Sequence, residues 1–142
     1  MRLWHKDLIH VLPNKQLIAQ WRECCAIMGE IDKHGFPKSP LTKPIVDYPL
    51  SHFRHYVDMV LDEMQLRGIK VSGKAYQKFV KRCDRNMDKF YRGIRIGDDI
   101  YKYWHSDRYL KQCFYNLQEK YDRGMMSDED WTKIVEKTKG LI

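Results

Sequence analysis

The sequence predicts an all-α protein of about five helices joined by long irregular connections. Apolar residues return at i, i+3, i+4 and i+7 in several separate stretches, which is the period of a helix with one buried face. Prolines, glycines and capping serines stand where those stretches begin and end. The two short β-branched runs, Ile69 to Val71 and Ile94 to Ile96, are too brief to compete as strands. A length of 142 residues fits a single domain, 1–142, with a core that needs no disulfide or metal.

The first helix is expected from Lys15 to between Gly29 and Lys33, after a break at Pro13-Asn14 in which Asn14 serves as N-cap. Leu17, Ile18, Trp21, Cys24, Cys25 and Met28 form its core stripe. At about 100° per residue, Glu23 falls almost opposite Trp21, flanked by Ala19 and Ala26. A solvated face usually carries long charged side chains, so alanines around a carboxylate leave room for a second backbone to approach.

Pro37, Pro40, Pro44 and Pro49 crowd the next fifteen residues and predict a loop without regular structure. Its Lys38 and Lys43, with Lys33 and His34 before it, either reach phosphates or remain solvated loop charges. Phe53, Tyr56, Val57, Val60, Leu61 and Met64 then mark a second helix that stops at Gly68. His52, Arg54 and His55 oppose the helix dipole in its first turn, which calls for a phosphate or carboxylate partner or for simple exposure.

A third helix is expected from about Ala75 to Arg92, with Tyr76, Phe79, Val80, Cys83, Met87, Phe90 and Tyr91 on its apolar side. After Gly93 and Gly97, the run from Ile100 to His105 is basic and aromatic and suits a core edge better than a base-stacking platform. Ser106 caps a fourth helix carrying Tyr109, Leu110, Cys113, Phe114, Leu117 and Tyr121, which ends at Gly124. Ser127 opens a short last helix with Trp131, Ile134 and Val135.

Charge narrows the partners. The formal net charge is +7, and residues 69–95 hold nine cations against Asp84 and Asp88, so this one stretch carries the whole excess. Such a basic amphipathic segment suits nucleic acid, with Lys78, Lys81 and Arg85 on phosphates, better than a membrane surface, because two aspartates interrupt it. Four cysteines without Cys-x-x-Cys spacing are expected as reduced, buried thiols in a cytoplasmic protein, with no metal and no cofactor. Neither a signal peptide nor an apolar run of membrane-spanning length is present in the sequence.

The opening residues add chemistry. Arg2 is too large to permit trimming of the initiator methionine, so a free α-amine is expected on Met1. Such an amine has a pKa near ~7.8 against ~10.4 for lysine, which leaves about a tenth of it unprotonated and nucleophilic at neutral pH.

With Met1-Arg2-Leu3, the run Gln16-Leu17-x-Ala19-x-Trp21-Arg22-Glu23, and Gly29 followed by Lys33-His34, the chain resembles the pyrimidine-dimer DNA glycosylase family of the phage endonuclease V type. The likeness extends through His52 to Gly68 and, more weakly, from His105 to Tyr121, where Asn116-Leu117-Gln118-Glu119-Lys120 is similar to the family's third helix. The resemblance implies a glycosylase with coupled abasic-site lyase activity on pyrimidine dimers in duplex DNA, acting as a monomer and nucleoid-associated when bound. It implies catalytic roles for the Met1 amine and Glu23, and phosphate contacts for Arg2 and Arg22, both of which also keep the carboxylate ionised. Gln16, Ala26 and Met1 replace a histidine, an arginine and a threonine of the family's prototype, and the basic stretch looks like an insertion. A non-catalytic nucleic-acid-binding module and a glycosylase for another modified base are the alternatives.

Overall fold

The computed structural model describes residues 1–90 and 99–142. Five α-helices follow a short N-terminal segment: α1 (Asn14–His34), α2 (Leu50–Leu66), α3 (Gly73–Asn86), α4 (Asp107–Asp122) and α5 (Asp128–Thr138). No strand occurs among the described residues, as expected for an all-α chain. None of their helices is long and apolar enough to cross a membrane.

The α1 stripe packs as its spacing requires. Leu17, Trp21, Cys24 and Met28 are buried, Ile27 and Ile31 extend the stripe, and Ile18 and Cys25 sit at its edge. Gln16 and Gln20 are buried on the same side. The helix begins one residue earlier than its sequence suggests. Pro13 is the N-cap, its carbonyl accepting from Leu17 N–H at 2.9 Å, while the Asn14 side chain accepts from Arg67 at 3.0 Å instead of capping.

Antiparallel packing of α2 on α1 is fixed at two points, since Tyr56 reaches Gln20 and Arg67 reaches Asn14. At Gly68 the backbone takes φ +73°, the left-handed stop that the sequence signals. α3 runs in the same direction as α1 beside it. Trp21 meets Phe79 edge-on at 5.6 Å, Met28 Sδ meets Cys83 Sγ at 3.5 Å, and Asp32 meets Arg85 and Asn86. Gly29 makes room for this pair, because a Cβ there would lie 2.9 Å from an Arg82 guanidinium nitrogen.

Three expectations are corrected. The proline-rich connection is not wholly irregular, since Lys43–Asp47 forms a 3-10 turn that tolerates Pro44 in its first positions. A second 3-10 turn, Lys6–Val11, precedes α1. α3 ends at Asn86 rather than Arg92, because the Asn86 amide turns back onto Arg82 O at 2.7 Å and onto Asp32 at 2.9 Å. Its buried stripe is narrow: Phe79 and Cys83 are covered, whereas Tyr76 and Met87 are exposed. Tyr91, Arg92, Gly93, Arg95, Gly97 and the Ile94 to Ile96 run lie outside the described residues.

His52 needs neither a phosphate nor exposure. It is buried, its Nδ1 accepts Tyr101 N–H at 3.2 Å, and burial holds its pKa below the ordinary histidine value, so the neutral ring removes the conflict with the helix dipole. The run from Ile100 to His105 is core edge as expected. Ile100, Tyr101 and His105 are buried, while Lys102 and Tyr103 are exposed. Ser106 and Ser127 cap α4 and α5 through Tyr109 N–H and Asp130 N–H. Trp131 stacks on Tyr121 at 5.2 Å, joining α5 to α4, while Val135 faces solvent. All four cysteines are free, and burial pushes Cys25 and Cys83 up to about 11, far from the range of reactive thiols.

Candidate functional site

The chain start is threaded through the core by buried polar side chains. The Gln20 carboxamide, fully buried on α1, donates to Arg2 O at 3.0 Å and accepts Trp4 N–H at 2.7 Å. The Tyr56 hydroxyl from α2 sits 2.6 Å from Trp4 O and 2.9 Å from Gln20 Oε1. From α4, the Tyr109 hydroxyl donates to Leu3 O. Arg2 O, Leu3 O and both backbone groups of Trp4 are therefore satisfied by three different helices, a burial that is tolerated only while every partner is present. Leu3 and Trp4 add apolar anchoring, and Met1 is left 46% exposed at the surface.

A second brace holds the segment that follows. Glu63 on α2 is buried and accepts from His10 at 2.7 Å and from Arg67 at 2.9 Å. The Arg67 guanidinium also donates to Leu12 O at 2.6 Å and His10 O at 3.0 Å. His10 lies in the last turn of Lys6–Val11 and Leu12 is its C-cap, so one arginine closes the end of this turn onto α2. Lys6 pairs with Asp99, and its amide donates to the buried His105 ring at 2.9 Å. Burial, reinforced by His5 and Lys6, drops His105 to about 2, and its neutral Nδ1 is free to accept.

Glu23 lies where the terminus emerges. Its carboxylate is 3.4 Å from the same Gln20 Nε2 that holds Arg2 O. Desolvation pushes its pKa up from the ordinary glutamate value. Opposing that, in falling order, are the Met1 amine, the Arg2 backbone N–H, Lys120 of α4 and the Arg2 side chain. Burial wins, so the carboxyl is not held down by arginines as the sequence reading expects. Arg22 does not figure among these influences and is exposed. The Arg2 guanidinium is partly committed to the protein, lying 5.5 Å from the Trp4 ring.

Helical spacing places Ala19, Arg22, Ala26, Gly29 and Lys33 on the strip of α1 between α3 and the chain terminus. Arg22, Ala26 and Lys33 are exposed there. The result is an open floor of small residues, with Met1 and Glu23 along one flank and the cationic α3 along the other. Lys78 and Lys81 are exposed on α3. Arg85 differs, because it pairs with Asp32 at 2.8 Å and its hydrogen bonds lower that carboxyl to about 2. Lys33 and His34 close the last turn of α1, where positive charge suits the helix dipole, about 15 Å along the axis from Glu23.

The larger concavities are elsewhere. One of ≈ 430 Å³ lies between His10, Asn14, Gln16, Arg67 and Met125, and one of ≈ 510 Å³ lies between α2 and the start of α3. Neither is lined by Met1, which is 46% exposed, or by the half-buried Glu23.

A family model described as pyrimidine dimer DNA glycosylase matches residues 1–77, more than half of the chain. The chain belongs to the pyrimidine dimer DNA glycosylase family. No curated protein and no solved structure matches it. Family membership makes DNA the substrate and DNA repair the setting. The match takes in the terminus, Glu23, Gln20, Tyr56 and the Glu63 brace, and it stops just inside α3. Lys78, Lys81 and Arg85 thus fall beyond it, in the stretch that reads as an insertion.

Sequence reasoning singled out Met1 and Glu23, placed Tyr56 and Tyr109 on apolar stripes only, and gave no role to Gln20 or Lys120. A signal existed for Gln20. A carboxamide one position from Trp21 on an otherwise apolar stripe must find buried partners.

Proposed function

We propose that this pyrimidine dimer DNA glycosylase couples base excision to abasic-site cleavage through an imine formed by the Met1 α-amine. The amine lone pair attacks C1′ of the damaged nucleotide's sugar, and the C1′–N bond breaks with its electron pair leaving on the base. Opening of the sugar ring at C1′–O4′ gives a protonated imine. That imine acidifies C2′, a base takes the C2′ proton, and the C3′–O bond breaks with the 3′ phosphate as leaving group. Water then hydrolyses the imine and restores the amine.

Glu23 is assigned two tasks, stabilising the cationic sugar as the base departs and moving the C2′ proton. A carboxyl whose pKa is raised by burial is a better proton acceptor than an exposed glutamate, which suits the second task. Arg2 and Arg22 are assigned to phosphates beside the lesion, Lys33 and His34 to phosphates farther along α1, and Lys78 and Lys81 to the backbone across the floor, with Arg85 held by Asp32 instead.

One observation carries the reading: Gln20 ties the chain start and the Glu23 carboxyl to the same buried carboxamide, so that amine and carboxylate feel each other's charge. The open face around them suits a duplex, which no closed pocket admits. The test is borohydride trapping with two duplexes, one carrying an abasic site and one a pyrimidine dimer. A covalent adduct on both, mapped to the Met1 peptide, is the expected result. Binding to both without an adduct on either would make the chain a non-catalytic binding module.

A further inference from the structure

The cavity of ≈ 430 Å³ lies where the first turn of α1 meets the first turn of α5. α1 starts there uncapped. Pro13 offers no side-chain acceptor, no acid stands in the first turn, and the Asn14 side chain is drawn away by Arg67. The backbone N–H groups of Asn14, Lys15 and Gln16 have no acceptor among the described residues, so the positive end of a 21-residue helix stands in the cavity wall. α5 differs, since Ser127 caps it and Asp128, Glu129 and Asp130 fill its first turn.

Gln16 is a second and independent sign. It stands in the same wall, is only 7% exposed, and its Oε1 has no hydrogen-bond partner among the described residues. A buried carboxamide oxygen without a donor is costly, so whatever fills the cavity has to bring one. Lys15 and Lys133 add positive charge, and Lys133 is held loosely, 3.9 Å from Glu129. Arg67 spends its donors on Glu63, Asn14 and the carbonyls of Leu12 and His10, so it lends charge rather than hydrogen bonds. Asp130 is the one acid in the wall.

Helix N–H groups and lysines call for an anion, while Gln16 Oε1 and Asp130 call for a donor on that same anion. A phosphate that keeps a P–OH supplies both. Sulfate and the phosphodiesters of an intact strand carry no proton at neutral pH. We propose that this cavity binds a proton-bearing phosphate, either inorganic phosphate or the terminal phosphate of a DNA strand. The second source is chemically at hand, because elimination at C3′ leaves a phosphate monoester at the 5′ end of the strand beyond the break. The site stands apart from the imine reading, since none of its residues takes part in that chemistry.

The test is calorimetric binding of inorganic phosphate and of sulfate to the full chain at about pH 6, where a phosphate monoester keeps its second proton on about half of its molecules. Phosphate is expected to bind about tenfold tighter than sulfate, the worth of one hydrogen bond to a charged group. Gln16→Leu should erase that preference and, by removing an unpartnered oxygen, leave the melting temperature unchanged or higher. Lys133→Glu, an exposed change that spares the fold, should weaken both anions alike. Two duplexes then identify the source, one with a 5′-phosphate end and one with a 5′-hydroxyl end. Displacement of inorganic phosphate by the first alone assigns the cavity to a strand end, and displacement by neither assigns it to free phosphate. Equal displacement by both would make the cavity a contact for backbone phosphodiesters and overturn the proposal. So would equal affinities for phosphate and sulfate, no phosphate binding by the wild type, or an undiminished preference in Gln16→Leu.

Discussion

Two glutamates, Glu23 on α1 and Glu63 on α2, are taken partly out of water and treated in opposite ways. Glu63 is the more buried, yet its pKa is lowered, because His10 and Arg67 hydrogen bonds together overcome the desolvation. Each of its oxygens has a close partner, at 2.7 and 2.9 Å. Glu23 has only the Arg2 backbone N–H and a long contact of 3.4 Å to Gln20, and desolvation outweighs these and the positive groups around it. A saturated carboxylate braces the fold. One left short of partners is available to a cationic sugar and a proton.

The same contrast separates two sets of cations on α3. Arg85 is spent on Asp32, so it fastens α3 to α1. Lys78 and Lys81 form no ion pair among the described residues and are open to phosphates.

The largest effect expected from this comparison is chemical. Glu23→Gln should cut dimer excision by about 10²-fold or more, the scale of a lost general base, while duplex affinity stays near wild type. The fold should not suffer, since the substitution removes a carboxylate that burial penalises. Measuring turnover and melting temperature on one preparation sharpens the comparison, and near-normal turnover would return Glu23 to an idle surface.

Next is the brace. Arg67→Ala should destabilise the protein by about 3 kcal/mol, because it strands the buried Glu63 charge and uncovers the carbonyls of His10 and Leu12. Denaturant unfolding gives the number, and a loss under about 1 kcal/mol would break the claim that this pair is structural.

The pH dependence of stability has opposite signs at the two sites. Glu63, with a lowered folded pKa, contributes stability that is present above its unfolded pKa and is lost as pH falls through the folded value. Glu23, with a raised folded pKa, costs stability when ionised, and that cost fades as pH falls through its folded value. The gain in melting temperature from Glu23→Gln should therefore shrink in acid, whereas Glu63→Gln should lose most near neutrality. Melting curves from neutral pH into acid check both slopes.

The smallest effect concerns the cationic flank. Lys78→Ala with Lys81→Ala should weaken binding to any duplex and reduce the salt slope by about 2, roughly one unit per phosphate released. Arg85→Ala should instead lower stability with little change in slope. An unchanged slope in the double variant would take α3 out of the interface.

Most of the helices were legible in the sequence, because each carries a stripe at the helical period and a cap or a left-handed glycine at its end. Ser106, Ser127, Gly68 and Gly124 are read directly. The two 3-10 turns were not, since five or six residues are too few to show a period. Asn14 misled as an N-cap, and the end of α3 at Asn86 was missed, for a related reason. Their side chains are recruited by distant groups, Arg67 for one and Asp32 for the other, and local spacing carries no record of that. At the site, Glu23 stood out by its small neighbours, but the polar threading by Gln20, Tyr56 and Tyr109 joins residues up to 106 positions apart. Only the fold brings them together.

The most direct test uses the terminus itself. Protein with an acetylated Met1, verified by mass spectrometry, is compared with unblocked protein on an abasic duplex in the presence of borohydride. Acetylation turns the amine into an amide without touching Glu23 or α3. The account expects trapping and strand cleavage to vanish while affinity for the duplex stays within a few fold. Full trapping by the blocked protein would contradict it and move the nucleophile to a lysine inside the chain.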